Sequence, residues 1–435
     1  MNKLNLILAF FCIAFSCKEK VPAQSQVDII TGSLNLPVKE DIKLPVVAFS
    51  PDLDALRLPG DSQPVRMVAF GGSLAAGLQN GGLYREGQLT AIPNLIAHQM
   101  QLQSFVQPLF DKHEGNGTGY LIYDTSEQLP SWKKVTNYLG ITSEKPLILS
   151  RYNGPVPVDN ISWPHGPGAS SDSSQAFSYY PNQKEYFSYL YRFYDKRGVY
   201  DSPFENMVDS VKNFTNLVLV FGDLDLWVGV ACCSENLNAN AMLNEGYFYP
   251  QRQFILENLS KKRKLVLFNQ PDYLDFPFFH LYDVKRIIAK GGVSGAALQD
   301  SSLLIPTGNI KKAFFSDQIA VLTDCEVLSP EESRQLRNVN LIINRNVSKA
   351  FSEQYNLPMV DLYTLCKKIL SGKYYSDDGL FINPSFPNGN FFSNDGLHPT
   401  AIGNAVIANE TIKEINRVYK TKIPLINIGL LAKAI

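Results

Sequence analysis

The sequence predicts a three-layer α/β/α sandwich built on a parallel sheet. Three observations carry that expectation. Short apolar runs of strand length recur at Val65–Phe70, Asn216–Gly222, Lys264–Asn269 and Met359–Leu362. Between and after them, Ile92–Met100, Pro330–Glu353 and Ala401–Tyr419 repeat apolar residues at helical spacing. Strands that alternate with helices close as a parallel sheet covered on both faces, which suits runs that are apolar throughout.

Composition agrees. The chain has 435 residues, 45% hydrophobic and 19% charged, with a formal net charge of -1. That supports a large core and argues against disorder or a long coiled coil. No basic block is present, so nucleic acid is not an expected partner.

The elements follow in order. Lys3 precedes the apolar run Leu4–Phe15, too short to span a bilayer, and Ser16-Cys17 come next. A basic start, an apolar middle and small residues at the break describe a secretory signal over residues 1–16. Ala14-Phe15-Ser16-Cys17 resembles the lipobox of bacterial lipoproteins. That resemblance implies lipid on Cys17, attachment to a membrane and a place in the cell envelope. A plain cleaved signal with an incidental Cys17 is the other reading. Residues 17–62 then form a tether and a packed N-terminal extension.

The nucleophile candidate, Ser73, follows the first strand in Phe70-Gly71-Gly72-Ser73-Leu74. Two glycines permit a sharp turn that would lift a serine to the carboxyl edge of the sheet, where open α/β folds place ligands. An ordinary strand-to-helix turn with a serine N-cap suits the same residues. Leu78–Arg85 and Glu114–Tyr120 read as loops, the second lacking the Lys and spacing of a phosphate-binding loop. His98, on the 92–100 stripe, reads as a surface or packing histidine. Val156–Ser174 is rich in turn formers, and Tyr179–Tyr194 is dense in aromatics that suit packing or an apolar site. Ser329 with Glu332 forms a capping box before the 330–353 helix. Phe276–Leu328 has weak periodicity and reads as an insertion.

Near the far end, Asp395 and His398 are three apart, and Pro399 suits the first position of the helix behind them. A serine after the first strand and Asp-x-x-His near the end make the constellation used in acyl transfer. With Gly-Gly-Ser-Leu and Asp-Gly-Leu-His-Pro in this order, the chain resembles SGNH/GDSL-type esterases and lipases, in their exported bacterial lipoprotein branch. The run Asp395–Asn416 carries the closest match.

The resemblance implies a flavodoxin-like hydrolase fold over residues 63–425, with 426–435 as a C-terminal tail. It implies Ser73 as nucleophile, His398 as base, Asp395 as its orienting carboxylate, and oxyanion donors on the backbone of Ser73 and of Gly168, with Gly166 as the alternative register. No cofactor or metal is implied. The substrate would be a carboxylic ester of a lipid, a short acyl group or an acetylated sugar.

Two positions depart from the family pattern. Gly72 stands where its first block has Asp. Its third block, Gly-x-Asn-Asp, becomes Gly222-Asp223-Leu224-Asp225, and Leu224 cannot donate the hydrogen bond that the Asn amide would. Losing one such donor typically costs about a hundred- to a thousandfold in turnover. Asn160 and Asn269 are candidate replacements. A weakly active or inactive ligand-binding member of the family is therefore the competing reading, and a purely structural envelope lipoprotein is the third.

Cys12 leaves with the signal, and Cys232, Cys233, Cys325 and Cys366 remain beside Cys17. Four cysteines in so long a chain make no disulfide scaffold, and no Cys/His spacing suggests zinc. They read as buried or loosely paired thiols.

Overall fold

Five strands pair in one sheet: β1 (Met67–Gly71), β2 (Asn160–Ser162), β3 (Leu217–Val220), β4 (Lys264–Phe268) and β5 (Met359–Val360). Their spatial order is 2-1-3-4-5, and every pairing is parallel. This is the flavodoxin-like order, whose switch point between β1 and β3 places ligands beyond the carboxyl ends of those strands. The structure is a computed structural model that describes residues 30–60, 62–124, 131–141, 149–162, 192, 211, 213, 215–222, 263–315 and 320–435.

The continuous apolar runs have a simple cause. Alternate side chains of β1, β3 and β4 enter two different cores, so neither face is polar. Met67, Ala69, Leu217, Leu219, Val266 and Phe268 enter one core. Val68, Phe70, Val218, Val220, Leu265 and Leu267 enter the other. The first core lies under α2 (Ile92–Gln99), α3 (Pro330–Ile342), α4 (Leu362–Leu370) and α5 (Ala401–Tyr419). Leu78, Phe110, Leu149, Val158 and Val211 help to cover the second.

Several helix ends obey local rules. The Ser329–Glu332 capping box is formed, with Pro330 in the first turn of α3. Thr400 caps α5 by accepting from the Gly403 N–H, so Pro399 precedes the cap and is not the first helical residue. The helix expected to run to Glu353 passes into π turns at Ile343–Lys349 before Ala350–Tyr355.

One strand of this sheet is not expected from the sequence. Asn160–Ser162, inside a stretch that reads as a loop, pairs with Ala69–Gly71 at the sheet edge. It is only three residues long and two of them are polar, so it carries no periodic signal. The stretch 276–328 contains short strand pairs at 293–295 with 320–322 and at 303–304 with 327–328. Tyr282, Ile287, Leu304, Ile310 and Leu322 give it a small apolar cluster of its own.

The N-terminal extension packs as a strap. Leu44 and Leu53 lie on the main core and Leu56 is inside it. Asp52 and Lys422 exchange backbone hydrogen bonds of 3.1 Å in each direction. His98 is a packing histidine whose Nε2 lies 2.9 Å from the Pro45 carbonyl. At the other end, Ile428–Ala434 is helical and buries Ile428 and Leu431. Residues 1–16, Cys17, Cys232, Cys233 and nearly all of the aromatic run 179–194 lie outside the described residues, as does the Cys325 side chain. Among the described residues no helix is long and apolar enough to cross a membrane.

Candidate active site

β1 delivers Ser73 to the carboxyl edge of the sheet. Gly72 is the N-cap and Ser73 the first residue of α1 (Ser73–Ala76), so the serine is inside the helix and not its cap. Gly71 is needed for close approach, and neither it nor Gly72 has left-handed backbone. A Cβ on Gly71 would press on the Phe221 side chain, while Gly72 has φ -92°. The helix closes after one turn at Gly77, φ +90°, a left-handed C-cap.

The loop behind α1 holds the other half of the site. Gln79 and Gly82 exchange backbone hydrogen bonds, which makes a tight turn with Gly81 at φ +65°. The Asn80 N–H donates to Ser393 Oγ at 2.8 Å, and Asn80 Oδ1 accepts from the Asn394 N–H at 2.8 Å. The Trp132 indole donates to the Asn394 carbonyl at 2.6 Å. These bonds join segments more than 260 residues apart in sequence and fix the Asp395–His398 turn against the loop behind α1.

In that turn Asp395 Oδ1 accepts from the N–H groups of Leu397 (2.8 Å) and His398 (2.9 Å) and from Ser393 Oγ (3.1 Å). Its Oδ2 accepts from the Gly81 N–H at 2.7 Å and meets His398 Nδ1 at 2.8 Å. His398 Nε2 then lies 3.0 Å from Ser73 Oγ. The structure thus brings together Ser73, His398 and Asp395, with Ser73 and His398 0% exposed.

Burial pushes the Asp395 carboxyl up, but His398 and the backbone N–H donors outweigh it and hold the group below its ordinary 3.8. The stability that its ionised form contributes is complete above that ordinary value. It is lost as pH falls through the lowered one. An ionised carboxylate only accepts, so Nδ1 carries the imidazole proton and Nε2 turns its lone pair to Ser73.

The oxyanion side is less complete. Ser73 is the first residue of α1, so its backbone N–H belongs to the N-terminal turn of that short helix. Gly168, Gly166, Leu224 and Asp225 lie outside the described residues; Gly222 is described, two residues past the end of β3. Of the two replacement donors expected from the sequence, Asn160 has both amide hydrogens engaged, whereas Asn269 gives one of its two to Asp361 and also lines the cavity described below. Asn160 commits its amide to the Ala75 carbonyl (2.8 Å) and Gln107 Oε1 (2.9 Å). Asn269 donates to Asp361 at 2.6 Å and accepts from the Tyr363 N–H, tying β4 to the start of α4. Gln270 was missed: its Nε2 is buried without a hydrogen-bond partner. A lone Gln before a Pro offers no sequence signal.

A narrow cavity lies past the carboxyl ends of β3 and β4, lined in part by the chain neighbours of Ser73 and His398. Leu74, Gly222, Gln270, Cys366, Leu397 and Pro399 are among its walls. Burial pushes the Cys366 thiol up to about 12, which leaves almost no thiolate at neutral pH. Iodoacetamide should therefore spare Cys366 in the native protein and modify it after denaturation, as read by peptide mass spectrometry.

One group of possible metal donors occurs among the described residues, Asp111, His113 and Glu114, with ligand atoms within 4.8 Å of one another. All three come from one surface turn, and the chemistry available to Ser73 does not draw on them.

No protein-family model and no curated protein matches the chain. A solved structure similar to it is the lipase/acylhydrolase from Enterococcus faecalis, 13% identical. The likeness covers 83% of this chain and 98% of that one, at a TM-score of 0.32.

Proposed function

We propose that this chain is a serine ester hydrolase of the SGNH/GDSL type, acting on a carboxylic ester of a lipid, short acyl group or acetylated sugar. The observation that carries this reading is the unbroken relay from Asp395 Oδ2 to His398 Nδ1 and from Nε2 to Ser73 Oγ, at 2.8 Å and 3.0 Å. It stands at the carboxyl edge of a doubly wound sheet, beside the switch point.

In this reading Ser73 Oγ attacks the ester carbonyl and its proton passes to His398 Nε2. The carbonyl electron pair moves onto oxygen and then returns, expelling the alcohol, which takes the proton from His398. Water repeats the sequence on the acyl-enzyme. Asp395 keeps the imidazole in the productive tautomer and stabilises its cation without taking the proton. Lipidation at Cys17 would hold the enzyme at the cell envelope, a proposal resting on the lipobox-like residues 14–17 alone.

A ligand-binding protein with a residual triad is the competing reading. It draws on Leu224 and on the complete burial of Ser73 and His398. A small fluorophosphonate separates the two, because it needs an activated serine and no knowledge of the substrate. The expected result is covalent labelling of the full chain that disappears in Ser73→Ala. A folded wild-type protein that stays unlabelled would end the hydrolase reading.

A further inference from the structure

Within the hydrolase reading, on which this inference rests, Leu224 fills the sequence position where a carboxamide normally faces the oxyanion. We infer that the Gln270 side chain, coming from the end of β4, supplies the missing donor: its Nε2–H groups stabilise the oxyanion formed when Ser73 adds to the ester.

Four observations converge on Gln270. It is 2% exposed, and its Nε2 has no hydrogen-bond partner. A buried donor left unpaired is costly, and sites that keep one commonly reserve it for a ligand or intermediate. Second, its backbone is clamped in both directions by one side chain. Asn344 Oδ1 accepts from the Gln270 N–H at 2.8 Å, and Asn344 Nδ2 donates to its carbonyl at 2.8 Å. Asn344 lies in the π turns after α3, a departure from helix geometry that often marks functional positions.

Third, the Gln270 carboxamide lies over Gly222, where any Cβ would overlap its Nε2. Phe70 pairs with Val220, so two residues further along each strand stand Gly72 and Gly222. The carboxamide thus reaches from β4 across the end of β3, next to β1, which leads through Gly72 into Ser73. Fourth, Gln270 and Gly222 share the cavity with Leu74, Leu397 and Pro399, the chain neighbours of Ser73 and His398.

The chemistry is balanced. The Ser73 Oγ–carbonyl carbon bond forms, the Oγ proton goes to His398, and the carbonyl π pair becomes the oxyanion that Gln270 receives. When the pair returns, the bond to the leaving alcohol breaks and the alcohol takes the proton from His398. A neutral carboxamide donates to this oxygen and adds no charge to compete with Asp395 for the imidazole.

The test uses the full chain with p-nitrophenyl acetate and the fluorophosphonate. Gln270→Leu removes the donor at similar volume. Gly222→Ala keeps the glutamine but pushes its flexible end aside. Each should lower kcat about a hundred- to a thousandfold with little change in KM, and slow Ser73 labelling in proportion. The double variant should be no worse than either single one, since both remove the same interaction. Gln270→Glu, near-identical in shape but charged, should lose at least as much, and it decides the matter if Gln270→Leu does not fold.

A kcat within about threefold of wild type in a folded Gln270 variant would overturn the assignment, as would losses that multiply in the double variant. These outcomes leave the hydrolase reading standing if the wild-type chain labels at Ser73. An unlabelled wild type ends both.

Discussion

Asp395→Asn should lower ester turnover about ten-thousandfold while the protein remains folded. The cause can be read from the donors around the carboxylate. Oδ1 faces two backbone N–H groups and the Ser393 hydroxyl, whereas Oδ2 faces only the Gly81 N–H and His398 Nδ1. An asparagine has one acceptor and one donor end. Its oxygen will settle on the Oδ1 side, because that side presents more donors than can be turned away. Its NH2 then points at Gly81 and His398. Nδ1 must accept, the imidazole proton moves to Nε2, and the base that should face Ser73 has no lone pair to offer. Steady-state kinetics across the neutral range, with an unfolding midpoint as a fold check, measures this. A folded variant that keeps a tenth or more of the wild-type kcat would contradict the relay.

The second large effect is on stability. Gly82→Ala should cost about 3 kcal/mol, the upper end of what overpacking usually takes. A Cβ at Gly82 would overlap the Gly119 carbonyl and crowd Tyr120, and both partners are backbone. They cannot yield cheaply. The Gly119 N–H is bonded to the Asn116 carbonyl, the Thr118 N–H to the Leu83 carbonyl, and the Leu121 N–H to the Asn80 carbonyl. The Gln79–Gly82 turn must move instead, carrying the Gly81 N–H away from Asp395. The same variant should therefore label more slowly with fluorophosphonate as well as unfold earlier in urea. An unchanged urea midpoint would show that the loop accommodates a methyl group and that this packing argument is wrong.

What the sequence determined by itself is the part of the protein ruled by local chemistry. Apolar runs marked β1, β3, β4 and β5 because a parallel sheet buries both faces of its strands. Helical spacing and the capping groups of Ser329 and Glu332 placed the start of α3, and the 401–419 helix has the expected bounds. Ser73, Asp395 and His398 were legible for the same reason, since a turn after a strand and an i, i+3 carboxylate–imidazole pair are short-range patterns.

Only the tertiary structure decided the rest. β2 exists because the edge of β1 offers it backbone partners, not because Asn160–Ser162 prefers a strand. Gly71 is required by the approach of Phe221 from a neighbouring strand, and no inspection of residues 70–74 reveals that. Asn160 is chemically able to donate to an oxyanion, yet its amide hydrogens are spent on Ala75 and Gln107, while Asn269 gives one of its two to Asp361. Gln270 resembles any other glutamine until Asn344 and Gly222 are seen around it. Whether a polar group is free to act depends on which partners have already claimed it. Those partners come from distant segments that only the folded chain brings together.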